Sequence, residues 1–298
     1  MVLMKRYENC LLTKSIGGLY FVETPDGVFE CKARGSFRNK EISPCCGDRV
    51  TIEVEKDSNC VITAINNRNN EIIRPPLANL DMLVFVIATC EPRPNLQLLD
   101  KFIAIAEYKN IQPLVVFTKT DKADSAQFEE MYNNAGITAL SVNNVTGDGC
   151  DKVSELLRGK LVAFTGNTGV GKSSLINNIF GNLDLKTNEI SKKLGRGRHT
   201  TRQVELFSLE GGGYVADTPG FSTFDTNRYD IIKCDELSSC FIEFENYSDK
   251  CRFKDCAHIG EKGCAVKDAV EKGDISETRY QSYVSMYNNA KQIKDWEL

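Results

Sequence analysis

The sequence predicts a multidomain chain: an N-terminal all-β barrel, a central α/β domain on a mostly parallel sheet, and a helical C-terminal domain around a cysteine/histidine cluster. Three observations carry this. Residues 1–72 read as short strands between turn residues, and from 73 strands alternate with helices. After about residue 226 the strands stop, and Cys251, Cys256, His258 and Cys264 fall within fourteen residues. The expected domains are 1–72, 73–225 and 226–298, and 298 residues suffice for two or three.

In the first segment, 16–24 runs into the Pro25-Asp26-Gly27 turn and 28–33 continues. A Gly47-Asp48 turn leads into 49–54, which alternates apolar and polar, and 60–65 follows. Such spacing fits a small closed barrel, with the OB-fold as the natural choice. A sandwich half or an SH3-like barrel gives the same pattern.

Arg74-Pro75-Pro76 marks the boundary, because proline disfavours helix in the residue before it. Beyond it strands are expected at 82–88, 114–118, 137–142, 161–165, 204–209 and 214–217. A helix over 95–108 carries Leu98, Leu99, Phe102, Ile103 and Ala106 on one face. Alternation of strand and helix argues for a parallel sheet covered on both sides. Gly211-Gly212-Gly213 joins the last two strands as a hairpin, so one edge should be antiparallel. In the tail, a helix over 276–294 places Tyr280, Tyr283, Val284, Tyr287 and Ile293 on one side.

Composition narrows the class. At 41% hydrophobic and 26% charged residues the chain looks like an ordinary globular protein. The longest apolar run, 82–88, is strand-sized, far below the roughly 20 residues of a membrane span. Lys5 and Arg6 are followed by no apolar leader. The expectation is a cytoplasmic monomer with no membrane partner. Twelve cysteines are then metal ligands or buried apolar groups rather than disulfides. A net charge of −4 argues against nonspecific nucleic-acid binding driven by the whole protein's field, so any RNA contact must come from local basic patches.

Gly166-Asn167-Thr168-Gly169-Val170-Gly171-Lys172-Ser173 matches the phosphate-loop pattern, after a buried strand and before a helix. Its glycines let backbone N–H groups turn toward phosphate oxygens, and the helix N-terminus adds positive potential. Lys172 is expected on the β- and γ-phosphates and Ser173 on Mg²⁺. Asp217-Thr218-Pro219-Gly220 closes the hairpin, with Asp217 suited to the Mg²⁺ shell and the Gly220 N–H to the γ-phosphate. Between them, residues 192–202 form a basic loop in which Thr200 or Thr201 is the candidate Mg²⁺ ligand.

Base recognition falls to Thr118-Lys119-Thr120-Asp121 at a strand end. Guanine offers N–H donors at N1 and at its 2-amino group. One carboxylate, Asp121, can accept both, and adenine lacks that pair. Lys119 would lie across the base. Ser141 and Val142 would support it through backbone contacts. Together these imply GTP/GDP with Mg²⁺. A threonine stands at 118 where such elements carry asparagine, and a hydroxyl cannot copy both ends of an amide. The order is also unusual: residues 118–121 and 141–142 precede the phosphate loop.

Cys251-x4-Cys256-x-His258-x5-Cys264 supplies three thiols and an imidazole, a complete tetrahedral set for one structural Zn²⁺. A tail this short has too little core to fold unaided.

Motif order, zinc spacing and the following Gly263-Cys264-Ala265-Val266 resemble the ribosome small-subunit-dependent GTPase A family, the circularly permuted GTPases. The resemblance spans essentially the whole chain. It implies an N-terminal OB-fold, GTP hydrolysis stimulated by the 30S subunit, and a task in late 30S assembly with contacts to 16S rRNA. Phe221 stands where many GTPases carry a water-orienting glutamine, and an aromatic ring cannot do that work. The resemblance implies His199 in that catalytic role. RNA contact is expected at Lys32, Arg34, Phe37, Arg38 and Lys40 of the barrel, with a solvated loop as the competing reading. Two other functions fit the residues: an rRNA-binding placeholder that uses nucleotide only as a lock, and a P-loop ATPase or kinase.

Overall fold

The first strand is where sequence pattern and structure part. The computed structural model describes residues 5–35, 37, 42–54, 59–181, 204–217 and 232–293, and of Asp217 the backbone only. Its strand β1 is Lys5–Ile16, then β2 is Leu19–Thr24 and β3 is Gly27–Ala33. The expected strand 16–24 is therefore split, and most of β1 was not anticipated. Gly17 and Gly18 make the break, both at positive φ (58° and 84°). The alternation of β1 is hidden by two register shifts, between Tyr7 and Cys10 and between Leu12 and Lys14, with Asn9 at φ 56° inside the first.

Strands β4 (Arg49–Val54) and β5 (Cys60–Ile65) complete a barrel. Its order is β1-β2-β3-β5-β4, and β4 returns to β1 through pairs such as Tyr7↔Ile52. Strands β3 and β5 are parallel, with Cys31 opposite Cys60. Leu12, Val22, Val50, Ile52 and Ile62 are fully buried inside. A closed five-stranded barrel of this order is the OB architecture.

The remaining strands are β6 (Glu71–Ile72), β7 (Leu77–Ala78), β8 (Met82–Ala88), β9 (Gln112–Thr118), β10 (Thr138–Ser141), β11 (Leu161–Thr165), β12 (Glu205–Ser208) and β13 (Tyr214–Asp217). The longer helices are α1 (Leu96–Tyr108), α2 (Ala126–Asn134), α3 (Cys150–Leu157) and α4 (Lys172–Phe180). The tail adds α5 (Cys234–Leu237), α6 (Glu245–Ser248), α7 (Ala265–Lys272) and α8 (Glu277–Ala290). No described helix is long and apolar enough to cross a membrane.

The chain divides into two compact units. One comprises Met1–Met82, Ser154–Phe164 and Phe180–Phe221. Within it β11 pairs parallel with β13, and β13 pairs antiparallel with β12. The hairpin is as expected, but β12 is no free edge. Strand β1 continues the sheet at Lys14↔Glu205, where the side chains form a 2.9 Å ion pair. Tyr214 OH donates to Glu23 at 2.9 Å across the same junction.

The other unit comprises Leu83–Val153, Thr165–Ile179 and Ser222–Leu298. Its strands run in the order β10-β9-β8, and β9 and β10 are parallel. Helix α1 starts where Asn95 Oδ1 accepts the Leu98 N–H at 3.1 Å. It buries Leu99, Phe102, Ile103 and Ala106 as its pattern requires, and also Asp100. In α8, Tyr280 and Tyr283 are buried, Val284 and Tyr287 are half-buried, and Ile293 lies past the helix end. Tyr283 packs edge-on to Phe244 and Phe241, with centroids 4.9 and 5.2 Å away.

Candidate functional site

Strand β9 is buried along almost its whole length and ends on Thr118, which is fully buried. The Thr118 hydroxyl donates to Val170 O, and Ile87 O lies at 3.3 Å as the alternative acceptor. The T-K-T-D strand end is thus held against the phosphate loop, 52 residues later in the chain. Lys119 takes a left-handed backbone (φ 60°), its carbonyl accepts from Thr89 Oγ1 at 3.0 Å, and its ammonium donates to Glu91 O. Thr120 is half-buried, and the Asp121 carboxylate is exposed and available.

The phosphate loop follows β11 and opens α4. Gly166 (φ 154°) could carry no side chain, since a Cβ would lie 2.5 Å from Val86 O. Gly171 (φ 92°) is bounded likewise by Asn144 Nδ2 and Thr118 Oγ1, at 2.8 and 3.4 Å from such a Cβ. Val170 is buried beneath the loop, whereas Asn167, Thr168 and Gly169 are exposed. Lys172 Nζ reaches back over the loop to Gly166 O at 3.5 Å. Ser173 is half-buried on the first turn of α4, whose Leu175 and Ile176 anchor it in the core.

At the end of β10 the two predicted base-supporting residues have partners within the protein. The Ser141 hydroxyl lies 2.7 Å from Ser125 Oγ and donates to the Glu129 carboxylate. The Val142 N–H donates to Phe117 O at 2.7 Å, so this backbone donor is already committed within the protein. Sequence reasoning passed over Asn144 in the same loop. Its side-chain Nδ2 donates to Gly171 O at 3.1 Å, and its backbone carbonyl accepts from Asn178 Nδ2 at 2.9 Å.

Asp217 ends β13 opposite Glu205. His199, Thr200, Thr201, Gly220, Arg38 and Lys40 lie outside the described residues. Lys32 and Arg34 are exposed at the end of β3, and Phe37 is half-buried nearby.

The predicted metal ligands converge. One ligand atom each from Cys251, Cys256, His258 and Cys264 lies within 4.8 Å of all the others. His258 Nδ1 sits 3.6 Å from Cys251 Sγ and 3.5 Å from Cys264 Sγ, and those sulfurs are 4.0 Å apart. Bonds of about 2.3 Å to zinc in a tetrahedron give sulfur–sulfur edges of about 3.8 Å, so this donor set fits the ion. Nδ1 is the ring nitrogen that faces the sulfurs and would be the ligand atom, and Nε2 faces Ser248 Oγ at 3.5 Å. Around it, Glu261 accepts the N–H groups of Ala257, Ile259 and Gly260 at 3.0 Å each. Tyr280 and Tyr283 donate to the carbonyls of His258 and Ala257 at 2.8 and 2.7 Å. Burial pushes the Cys256 thiol up to about 12 and the His258 imidazole down. The imidazole is thereby kept in its neutral, ligating form, and a dication is what would hold the Cys256 sulfur as thiolate.

A third constellation escaped the sequence reading. Arg279 of α8 is 1% exposed. It donates to Asp100 of α1 at 2.7 Å and to both oxygens of Glu243 at 2.5 and 3.0 Å. Tyr132 and Ser282 donate to Asp100 as well, at 3.0 and 2.6 Å. Burial still pushes the Asp100 carboxyl upward, against the pull of the guanidinium. The one signal was an aspartate between Leu99 and Phe102 on an apolar helix face.

A glycine-bounded phosphate loop, held against a T-K-T-D strand end that precedes it in the chain, is the arrangement of a P-loop GTPase with permuted motifs. A family model described as RsgA GTPase matches residues 65–227, and one described as RsgA N-terminal domain matches 11–62. The chain belongs to the RsgA GTPase family. The small ribosomal subunit biogenesis GTPase RsgA of Caldanaerobacter subterraneus subsp. tengcongensis is 42% identical over 284 residues, 94% of this chain and 95% of that one. The protein of the same description from Geobacillus kaustophilus is 41% identical over 289 residues, 95% of this chain and 97% of that one. Among solved structures, YjeQ from Thermotoga maritima matches with a TM-score of 0.81 at 31% identity, covering 98% of this chain and all of that one. YloQ, described as a circularly permuted GTPase, matches with a TM-score of 0.77 at 32% identity, over 98% and 96% of the two chains.

Proposed function

We propose that this protein hydrolyses GTP and couples that reaction to late maturation of the 30S ribosomal subunit, which stimulates it. The observation that supports the nucleotide site is the Thr118 hydroxyl bonded to Val170 O, which holds the T-K-T-D strand end beside the phosphate loop. Asp121 accepts from the guanine N1–H and 2-amino group. Lys119 covers the base, with Thr120 between them. The amides of 166–173 cradle the phosphates and Lys172 neutralises the β- and γ-oxygens. Mg²⁺ would be held by Ser173 and by Thr200 or Thr201, with Asp217 behind it. There it would offset charge on the phosphate oxygens. The Gly220 N–H meets the γ-phosphate, and His199 orients the attacking water.

The metal of the tail is one structural Zn²⁺ on Cys251, Cys256, His258 and Cys264. Four protein ligands leave no open position for substrate. The domains are 1–72, 73–225 and 226–298. The protein works as a cytoplasmic monomer. Contact with 16S rRNA uses the barrel at Lys32, Arg34, Phe37, Arg38 and Lys40.

Multiple-turnover GTP hydrolysis, measured with and without purified 30S subunits, tests this reading. Slow intrinsic turnover that rises steeply with subunits is expected. Equal rates in both conditions would favour a nucleotide-locked placeholder instead. His199→Ala should abolish the stimulated rate while GDP binding stays intact, and unchanged stimulation would remove His199 from the mechanism.

A further inference from the structure

Position 118 leaves the base pocket without an amide, and the loop after β10 has little else to offer. The N–H groups of Val142 and Asn143 go to Phe117 O and Asp148 O at 2.7 and 3.0 Å. Those of Val145 and Thr146 go to Asn143 Oδ1, at 2.9 and 3.3 Å. Thr118 has a single hydroxyl proton, and Val170 O takes it. Beside it, on the other flank of Gly171, stands Asn144. One Nδ2–H of this side chain is fixed on Gly171 O, and its backbone is tied to Asn178 of α4. Asn144 Oδ1 is the one buried side-chain nitrogen or oxygen among the described residues with no hydrogen-bond partner. A buried amide in that condition belongs to a site that another molecule completes.

We infer that Asn144 is a specificity-determining residue of the guanine pocket, supplying the amide that position 118 lacks. This rests on the GTPase reading above and deepens it. Thr118 keeps one half of the task and ties the strand end to the phosphate loop. Asn144 takes the other half. Its second Nδ2–H, which no described group accepts, donates to the acceptor edge of guanine at N7 beside O6. That edge holds no hydrogen for Oδ1, which an ordered water in the filled pocket would supply. Asp121 reads the opposite, donor edge. The two ends of the base are thus read by residues 23 positions apart in the chain (144 − 121), and neither depends on an asparagine at 118.

The test is equilibrium binding of GDP, 7-deaza-GDP (no N7 acceptor), IDP (no 2-amino donor) and ADP to the full-length protein and to Asn144→Ala and Asn144→Asp. The wild type should bind 7-deaza-GDP roughly tenfold more weakly than GDP, the effect of one buried hydrogen bond. Asn144→Ala should bind GDP roughly tenfold more weakly and no longer distinguish it from 7-deaza-GDP. Asn144→Asp, whose carboxylate repels N7 but not a C–H, should bind 7-deaza-GDP more tightly than GDP. The IDP penalty, read by Asp121, should be the same in all three proteins. The ratio of two ligands on one protein is insensitive to general damage to the loop. If the variants keep the wild-type ratio of GDP to 7-deaza-GDP, or if the wild type shows no such ratio, Asn144 does not read the base. If the wild type fails to prefer GDP over ADP, the guanine reading itself falls, which is a separate result.

Discussion

The phosphate loop and the cysteine/histidine knuckle are both built to hold charge, and they do so by opposite means. In the loop the backbone is the instrument. Gly166 and Gly171 stand where a Cβ would strike Val86 O or the side-chain amide of Asn144. In the knuckle the side chains are the instrument, with four ligand atoms within 4.8 Å of one another. The loop is embedded in a sheet that would persist without nucleotide. The segment 249–263 itself buries only His258, with Phe244 and two tyrosines behind it. An ion should therefore be a visitor in the first region and part of the fold in the second.

The largest effect should come from removing the metal. Chelation, or Cys264→Ser, should melt the tail around α7 and α8 while the strands of the barrel keep their amide protection. Apparent binding energies of structural zinc in small domains run to about 10 kcal/mol or more, beyond what so small a tail can replace. Hydrogen exchange resolved by segment checks this. Equal protection of the tail with and without metal would make the two regions alike.

Next comes the buried ion network that bonds the tail to α1. Arg279→Met leaves Asp100 and Glu243 buried without their cation, at an expected cost of about 3–5 kcal/mol in chemical denaturation. Adding Asp100→Asn and Glu243→Gln to it should restore much of that loss, because the penalty belongs to the orphaned charges. A single-variant loss below about 1 kcal/mol would show that water reaches the site.

Lys172→Ala should weaken GTP binding by about 10- to 100-fold, the range for one hydrogen bond to a charged group, with unaltered thermal stability of the free protein. A lower melting temperature without nucleotide would mean that the loop too is needed for the fold. The smallest expected change is at the barrel. Lys32→Ala with Arg34→Ala should flatten the salt dependence of subunit binding by up to about two units of slope. An unaltered slope would place the RNA contact elsewhere.

Sequence legibility followed the same division. Both ion sites were readable because their residues are close in the chain, eight in a row for the loop and fourteen for the knuckle. What supports each site was not. Asn144 meets the phosphate loop from 27 residues away, and Tyr283 meets the knuckle from 26. No local spacing marks such contacts. Strand β1 was missed for a different reason. A period-two pattern is lost when register shifts at Asn9 and Thr13 exchange the inward and outward faces. The central strands were clear because burial on both faces leaves uninterrupted apolar runs, as in β8 and β9. The Asp100–Arg279 pair was not legible either, since charge alone does not reveal a partner 179 positions away.

The claim at the centre is that Asp121 and residues 166–173 hold the two ends of one guanine nucleotide. Competitive binding of GDP and XDP to the wild type and to Asp121→Asn tests it most directly. Xanthine carries a carbonyl where guanine has its 2-amino group, so an amide at 121 should suit it and a carboxylate should repel it. The wild type should prefer GDP and the variant XDP, each by tenfold or more. A variant that keeps the wild-type preference would contradict the account.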